Sequence, residues 1–118
     1  MKIGVPKEIK NHENRVGMTP SAVSELTGQG HQVMVQRGAA EAIGFSDDDY
    51  QGAGAVLVDN PQKVFEEAEL IVKVKEPQAE ERMWLRHGQT LFTYLHLAPD
   101  EAQTRDLIAS VATCIAYE

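Results

Sequence analysis

The sequence has a single cysteine among its 118 residues, Cys114. One cysteine excludes a disulfide within the chain and the paired cysteines of a structural zinc site. Because Cys114 lies in an apolar run, we interpret it as a small buried hydrophobic residue rather than a nucleophile. No pair among the four histidines has the spacing of metal ligands, so we expect no metal site. A lone cysteine also fits a reducing, cytoplasmic environment.

Long apolar runs are missing as well. No run approaches the roughly 20 residues that a membrane helix needs, and residues 1–6 lead straight into a short strand pattern, so we expect neither a membrane span nor a signal peptide.

Basic residues are outnumbered, with 11 Lys and Arg against 18 Asp and Glu and a net charge of −7. A surface this acidic repels phosphate backbones, so nucleic acid is not an expected partner.

A glycine-rich phosphate-binding loop is the third absence. Gly52 and Gly54 follow a helix pattern and precede a strand pattern, which is the reverse of the order in a dinucleotide-binding fingerprint. The sequence therefore contains no recognisable nucleotide site of its own.

Strand and helix patterns alternate along the whole chain. Strands are expected at residues 2–5, 32–36, 55–58, 70–74, 91–95 and 111–116. A helix should begin at Pro20 after the cap Thr19 and end at Gly28 or Gly30, and a short one should follow the cap Ser46 towards Gly52. Further helices are expected at residues 61–68, 78–85 and 100–110. This alternation predicts an α/β fold, with a mostly parallel sheet and helices on both faces. The chain stops directly after the sixth strand pattern, where a covering helix is expected. We therefore expect an incomplete domain, from a fragment or a truncated chain.

His96 lies where the fifth strand pattern gives way to a loop before a helix. In open α/β sheets, ligands bind outside the carboxyl ends of the strands, and histidine is the side chain suited to moving a proton near neutral pH. Position alone favours a loop histidine that caps a backbone group. The presence of Lys75 after the preceding strand, and of Arg15 in the first loop, favours a functional site.

Arg15 and Lys75 are the other candidates. The guanidinium of Arg15 matches a carboxylate bidentately, although it could also be a surface arginine paired with Glu8 or Glu13. Strand alternation would place Lys73 and Lys75 on the same face, with Lys75 nearer the carboxyl end. A lysine in an apolar strand costs free energy unless it is paired or hydrated. Lys75 is therefore a functional candidate, with snorkelling to the sheet edge as the alternative.

Motifs along the entire chain resemble the N-terminal part of bacterial alanine dehydrogenases. They are Ile3-Gly4-Val5-Pro6-Lys7-Glu8, Glu13-Asn14-Arg15-Val16, Thr19-Pro20, Gly44-Phe45-Ser46-Asp47, Gly52-Ala53-Gly54-Ala55, Val72-Lys73-Val74-Lys75-Glu76-Pro77 and Leu91-Phe92-Thr93-Tyr94-Leu95-His96-Leu97-Ala98. The resemblance implies that residues 1–118 form the N-terminal part of a flavodoxin-like or Rossmann-like substrate-binding domain. The family's NAD-binding Rossmann domain would lie outside this chain.

The resemblance also implies an activity, namely oxidative deamination of L-alanine to pyruvate and ammonia with NAD as hydride acceptor. The family enzymes serve amino-acid catabolism and are usually homohexamers. The motif matches imply that Arg15 binds the substrate carboxylate, that Lys75 contacts the carbonyl oxygen of pyruvate, and that His96 is the general acid/base. The family's catalytic aspartate belongs to the inserted domain. Residues 1–118 alone are therefore expected to be inactive.

Two alternatives remain open from the sequence. The nucleotide-binding subunit of proton-translocating transhydrogenase shares the start of the chain and the loop that contains Arg15. In that family, however, an asparagine commonly stands at the position of Lys75 and a tryptophan at that of His96. The second alternative is a stand-alone, non-catalytic α/β module that binds carboxylates.

Overall fold

The structure is a computed structural model that describes all 118 residues, Met1–Glu118. The strands are β1 (Lys2–Val5), β2 (Gln32–Gln36), β3 (Val56–Val58), β4 (Leu70–Val72), β5 (Thr90–Thr93) and β6 (Thr113–Ala116). The helices are α1 (Pro20–Gly28), α2 (Asp47–Gly52), α3 (Pro61–Glu67), α4 (Ala79–Arg82) and α5 (Glu101–Ser110), with a 3₁₀ turn at Glu41–Ile43. The six strands form one sheet in the order β3-β2-β1-β4-β5-β6, and every neighbouring pair is parallel. The predicted α/β fold is confirmed.

Two hydrophobic cores lie on opposite faces of this sheet, because successive strand side chains alternate between its faces. Val33 of β2 belongs to the core that α1 and α2 cover, whereas Met34 belongs to the core that α3 and α5 cover. Helices therefore lie on both faces, as predicted.

No helix covers β6 on the face of the sheet that α1 covers elsewhere, and Ile115 is 48% exposed there. None of the helices has the length and apolar character needed to span a membrane.

The helix starts follow the capping residues that the sequence predicts. The hydroxyl of Thr19 accepts the N–H of Ala22 at 3.2 Å and caps α1. Ser46 and Asp49 form a reciprocal capping box at the start of α2. A side-chain oxygen at the cap satisfies backbone donors that the first turn of a helix leaves unpaired, which is why these starts were predictable.

The end of β4 differs from the prediction. The strand ends at Val72, not at residue 74, and the chain bends through residues 73–75, which we call the lysine bend. The N–H groups of Val74 and Lys75 leave the strand ladder because the carboxylate of Glu8 accepts both, each at 3.0 Å. The prediction that strand alternation places Lys73 and Lys75 on one face is therefore wrong. Lys73 is fully buried, whereas Lys75 is partly exposed.

Other element boundaries also differ from the prediction. β6 begins at Thr113 instead of residue 111, because Val111 has a φ of 57° and ends α5 in the left-handed region. β5 covers Thr90–Thr93 and is shifted towards the N-terminus of the predicted strand. The helix expected at 78–85 is the short α4, and the 3₁₀ turn was not predicted.

Two glycines allow close approaches between elements. A Cβ at Gly4 would lie 2.8 Å from the Cβ of Ala68, so glycine lets the end of α3 pack directly on β1. A Cβ at Gly17 would overlap the carbonyl oxygen of Val72. Glycine at position 17 therefore lets the loop that carries Arg15 lie against the end of β4.

Candidate functional site

The three candidate side chains follow neighbouring strands. Arg15 lies in the loop after β1, Lys75 in the lysine bend after β4, and His96 shortly after β5. β4 lies between β1 and β5 in the sheet. Because all three strands run in the same direction, their carboxyl ends meet at one edge of the sheet, where ligands of open α/β folds bind.

Arg15 and His96 nevertheless line separate cavities at this edge. The cavity at Arg15 has a volume of about 440 Å³, and the one at His96 has a volume of about 270 Å³. The first is lined by Arg15, Val16, Gly17, Thr19, Ile43, Val74, Tyr94 and Tyr117. Lys75 lines neither cavity. Residues 1–118 by themselves therefore do not enclose Arg15, Lys75 and His96 in a single pocket.

Glu13 holds the guanidinium of Arg15. Its carboxylate accepts the Nε–H of Arg15 at 3.0 Å, an Nη2–H at 2.8 Å and the backbone N–H at 2.9 Å. Of the two pairings left open by the sequence, Glu8 or Glu13, the structure has the pairing with Glu13. This fork leaves the Nη1–H groups and the outer Nη2–H unused. Since the Arg15 side chain is 62% exposed, a second carboxylate could reach them.

Arg15 and Lys75 are the two cations that act on Glu13. The hydrogen bond from Arg15 lowers the pKa of Glu13 from 4.5 to about 2, and the charges of Arg15 and Lys75 act in the same direction. The ammonium of Lys75 makes no hydrogen bond or ion pair within the chain. Lys75 is therefore a cation with no fixed partner, close enough to Glu13 to act on its pKa.

We expect Glu13→Gln to change stability in a pH-dependent way. Because folding lowers the pKa of Glu13, its ion pair stabilises the protein above pH 4.5 and loses that effect as the pH falls towards about 2. The pair is open to water on the Arg15 side, so the loss at neutral pH should be about 1 kcal/mol or less. Urea unfolding of wild type and variant across this pH range measures it. A difference that stayed constant down to about pH 2 would contradict the assignment.

His96 has an unusual backbone conformation. Its φ is 50°, in the left-handed region that residues other than glycine rarely adopt. The carboxylate of Glu118 accepts the N–H of His96 at 3.0 Å and also that of Leu95, which holds the turn in place. The imidazole makes no hydrogen bond within the chain, so it does not cap a backbone group. Backbone strain of this kind clusters at functional sites.

A buried charged cluster beneath Lys75 was not predicted. The side chains of Glu8, Lys73 and Glu81 are each only 1–2% exposed. The ammonium of Lys73 lies 3.2 Å from Glu8 and 3.5 Å from Glu81. Burial raises the pKa of Glu81, and the charge of Lys73 offsets this only in part. The available sequence signal was Lys73, since a lysine in an apolar strand needs a buried partner.

The environment of Cys114 does not activate its thiol. Cys114 is a free, partly buried thiol, and burial raises its pKa, which disfavours the reactive thiolate. No group of three or more His, Cys, Asp and Glu side chains is placed to hold a metal ion.

Comparison with known proteins places this geometry in a family. The family described as "Alanine dehydrogenase/PNT, N-terminal domain" matches residues 4–118. The alanine dehydrogenase of Halomonas elongata is 62% identical over 118 residues, which are 100% of this chain and 32% of that protein. A solved L-alanine dehydrogenase structure has a TM-score of 0.96 at 47% identity and covers 100% of this chain and 32% of its own.

A transhydrogenase from Sinorhizobium meliloti is more distant. Its crystal structure has a TM-score of 0.90 at 25% identity, over 98% of this chain and 34% of that one. The chain thus spans about a third of the length of the relatives it matches. The fold is common to both groups, but the sequence is much closer to the alanine dehydrogenases. The chain therefore belongs to the alanine dehydrogenase/PNT N-terminal domain family, as its motifs predicted.

Proposed function

We propose that residues 1–118 form the N-terminal part of the substrate-binding domain of an NAD-dependent L-alanine dehydrogenase. The enzyme would convert L-alanine to pyruvate and ammonia in the cytoplasm, as a homo-oligomer and by family resemblance a hexamer. The observation that carries the proposal is the position of Arg15, Lys75 and His96 after three neighbouring parallel strands. The 62% identity to an alanine dehydrogenase supports the choice of substrate.

Each side chain has a chemical task in this proposal. Arg15, oriented by Glu13, uses its free N–H groups to bind the carboxylate that alanine and pyruvate share. The unpaired ammonium of Lys75 faces the oxygen on the reacting carbon and stabilises the charge that develops there. Hydride loss from alanine would leave an imine, and water would add to its carbon. His96, whose ring has no partner within the chain, would take the proton from that water, and the C–N bond would then break to release ammonia.

The cofactor does not fit a site of this chain. A dinucleotide needs a tight, glycine-rich turn from a strand into a helix. The connection from β1 to α1 is instead the long loop of residues 6–19, in which Gly17 is the only glycine and is packed against β4. We therefore assign NAD, as acceptor of the hydride, to a part of the protein outside these residues.

The isolated segment 1–118 should show no measurable NADH binding and no dehydrogenase activity. Calorimetric titration with NADH measures the first, and the full-length protein is the positive control. Far-UV circular dichroism establishes that the segment is folded in the same buffer. Micromolar binding to the folded segment would reveal a nucleotide site that neither the glycine pattern nor the strand-to-helix turns indicate.

Alanine-dependent NADH formation by the full-length protein tests the proposed function. We expect pyruvate and NADH in equal amounts, and no reaction when L-alanine is omitted. Hydride exchange between NADH and an NADP analogue, without any need for alanine, would instead support the transhydrogenase alternative. Alanine or pyruvate binding without turnover would support the binding module.

A further inference from the structure

The carboxylate of Glu8 holds the backbone of the lysine bend. It accepts the N–H of Lys75 through Oε1 and that of Val74 through Oε2, each at 3.0 Å. The same Oε1 lies 3.2 Å from the ammonium of Lys73. Glu8 follows β1 and the bend follows β4, so these contacts join the ends of two neighbouring strands across 67 residues of sequence.

Other contacts complete the support of the bend. The hydroxyl of Thr93 donates to the carbonyl oxygen of Lys75 at 2.7 Å, and that of Tyr117 donates to the carbonyl oxygen of Lys73 at 2.7 Å. Only Glu8, however, binds the backbone N–H of Lys75. The Lys75 side chain itself has no partner, so its position is determined through its backbone.

The burial of Glu8 makes this support rigid. Its side chain is 1% exposed, and water cannot replace it as the acceptor for the two backbone N–H groups. Lys73 balances its charge inside the protein, since a buried carboxylate without a cation is unfavourable. The buried lysine therefore keeps Glu8 in place, and Glu8 in turn keeps Lys75 in place.

We propose that Glu8 is a positioning residue that aims Lys75 at the reacting oxygen of the substrate, with Lys73 as its buried counter-ion. This inference rests on the proposed function, because its main readout is turnover through Lys75. Glu8 is buried and acts through the backbone of the bend. Its effect should pass through Lys75 alone.

Epistasis in the full-length enzyme tests this. Glu8→Gln replaces one acceptor oxygen with an NH₂ donor that faces an N–H or an ammonium, so the bend should loosen. We expect kcat to fall about tenfold, since small displacements of a catalytic group cost one to two orders of magnitude. The KM for pyruvate should stay within about threefold, because Arg15 still binds the carboxylate. In a Lys75→Asn background, Glu8→Gln should lower kcat by less than about twofold.

Glu81→Gln is the matched control. It removes a carboxylate from the same buried cluster, but this carboxylate accepts neither backbone N–H of the bend. The pKa of Glu81 is also already raised by burial. Its kcat should stay within about twofold of wild type. If Glu8→Gln does not fold, Glu8→Asp takes its place, because it keeps a negative charge for Lys73 but is one methylene too short to reach both N–H groups of the bend.

The outcomes separate the two proposals. An equal fall in kcat in both backgrounds would overturn the positioning role, because a general structural defect does not depend on Lys75. If the wild-type protein does not oxidise alanine, the proposed function fails. Amide hydrogen exchange at Val74 and Lys75 then still tests Glu8. The exchange rate of these two amides should rise in Glu8→Gln and stay at the wild-type value in Glu81→Gln. Equal exchange rates in the two variants would overturn the inference.

Discussion

Replacing His96 with alanine should lower kcat for alanine oxidation about 100-fold or more in the full-length enzyme. A positioned acid/base group contributes roughly 10²- to 10⁴-fold. The imidazole of His96 makes no hydrogen bond within the chain, and its backbone is held at a φ of 50° by Glu118. Both features suit a ring that exchanges a proton with a bound substrate. Steady-state kinetics with saturating L-alanine and NAD provide the measurement.

His87→Ala is the matched control for this variant. His87 is an exposed histidine in the turn before β5, remote from the carboxyl edge of the sheet. We expect it to retain full activity. Alanine turnover by His96→Ala within a few-fold of wild type would remove His96 from the role of acid/base.

Separate substitutions of Lys75 and Arg15 should distinguish an effect on catalysis from an effect on substrate binding. Lys75→Asn should lower kcat about 100-fold, because a donor aimed at developing charge acts mainly in the transition state. Arg15→Lys should raise the KM for pyruvate about tenfold and leave kcat nearly unchanged, because the substrate carboxylate is the same in ground and transition states. The lysine keeps the charge but loses the planar fork and its pairing with Glu13.

Kinetics of both variants at saturating NADH and ammonia test this division. Arg105→Lys, on the exposed face of α5, and Lys63→Asn, on the exposed face of α3, are controls of the same chemistry away from the site. If Lys75→Asn raised only the KM for pyruvate and left kcat intact, Lys75 would serve to position substrate. The two cations would then share one role.

Local chemistry explains which parts of the fold were predictable. The caps Thr19 and Ser46 satisfy backbone donors within three residues, so the starts of α1 and α2 can be identified from the sequence. β1 and β2 were predicted with their observed bounds, since each is a short apolar segment bounded by proline or polar residues. Motif resemblance then identified the family that the comparisons confirm.

Long-range contacts explain what was missed. β4 ends early because Glu8, more than sixty residues away, takes the N–H groups of Val74 and Lys75. That pairing depends on β1 and β4 being neighbours, which no local pattern encodes. The placement of Arg15 and His96 in separate cavities depends likewise on loop packing, including the close approach that Gly17 allows.

A structure of the full-length protein with pyruvate and NADH would test the central claim most directly. The account predicts that the pyruvate carboxylate lies on the free N–H groups of Arg15, with the ammonium of Lys75 about 3 Å from the carbonyl oxygen. The ring of His96 should lie within hydrogen-bond reach of the same oxygen. Pyruvate bound away from the carboxyl ends of β1, β4 and β5, with these three side chains free, would contradict the account.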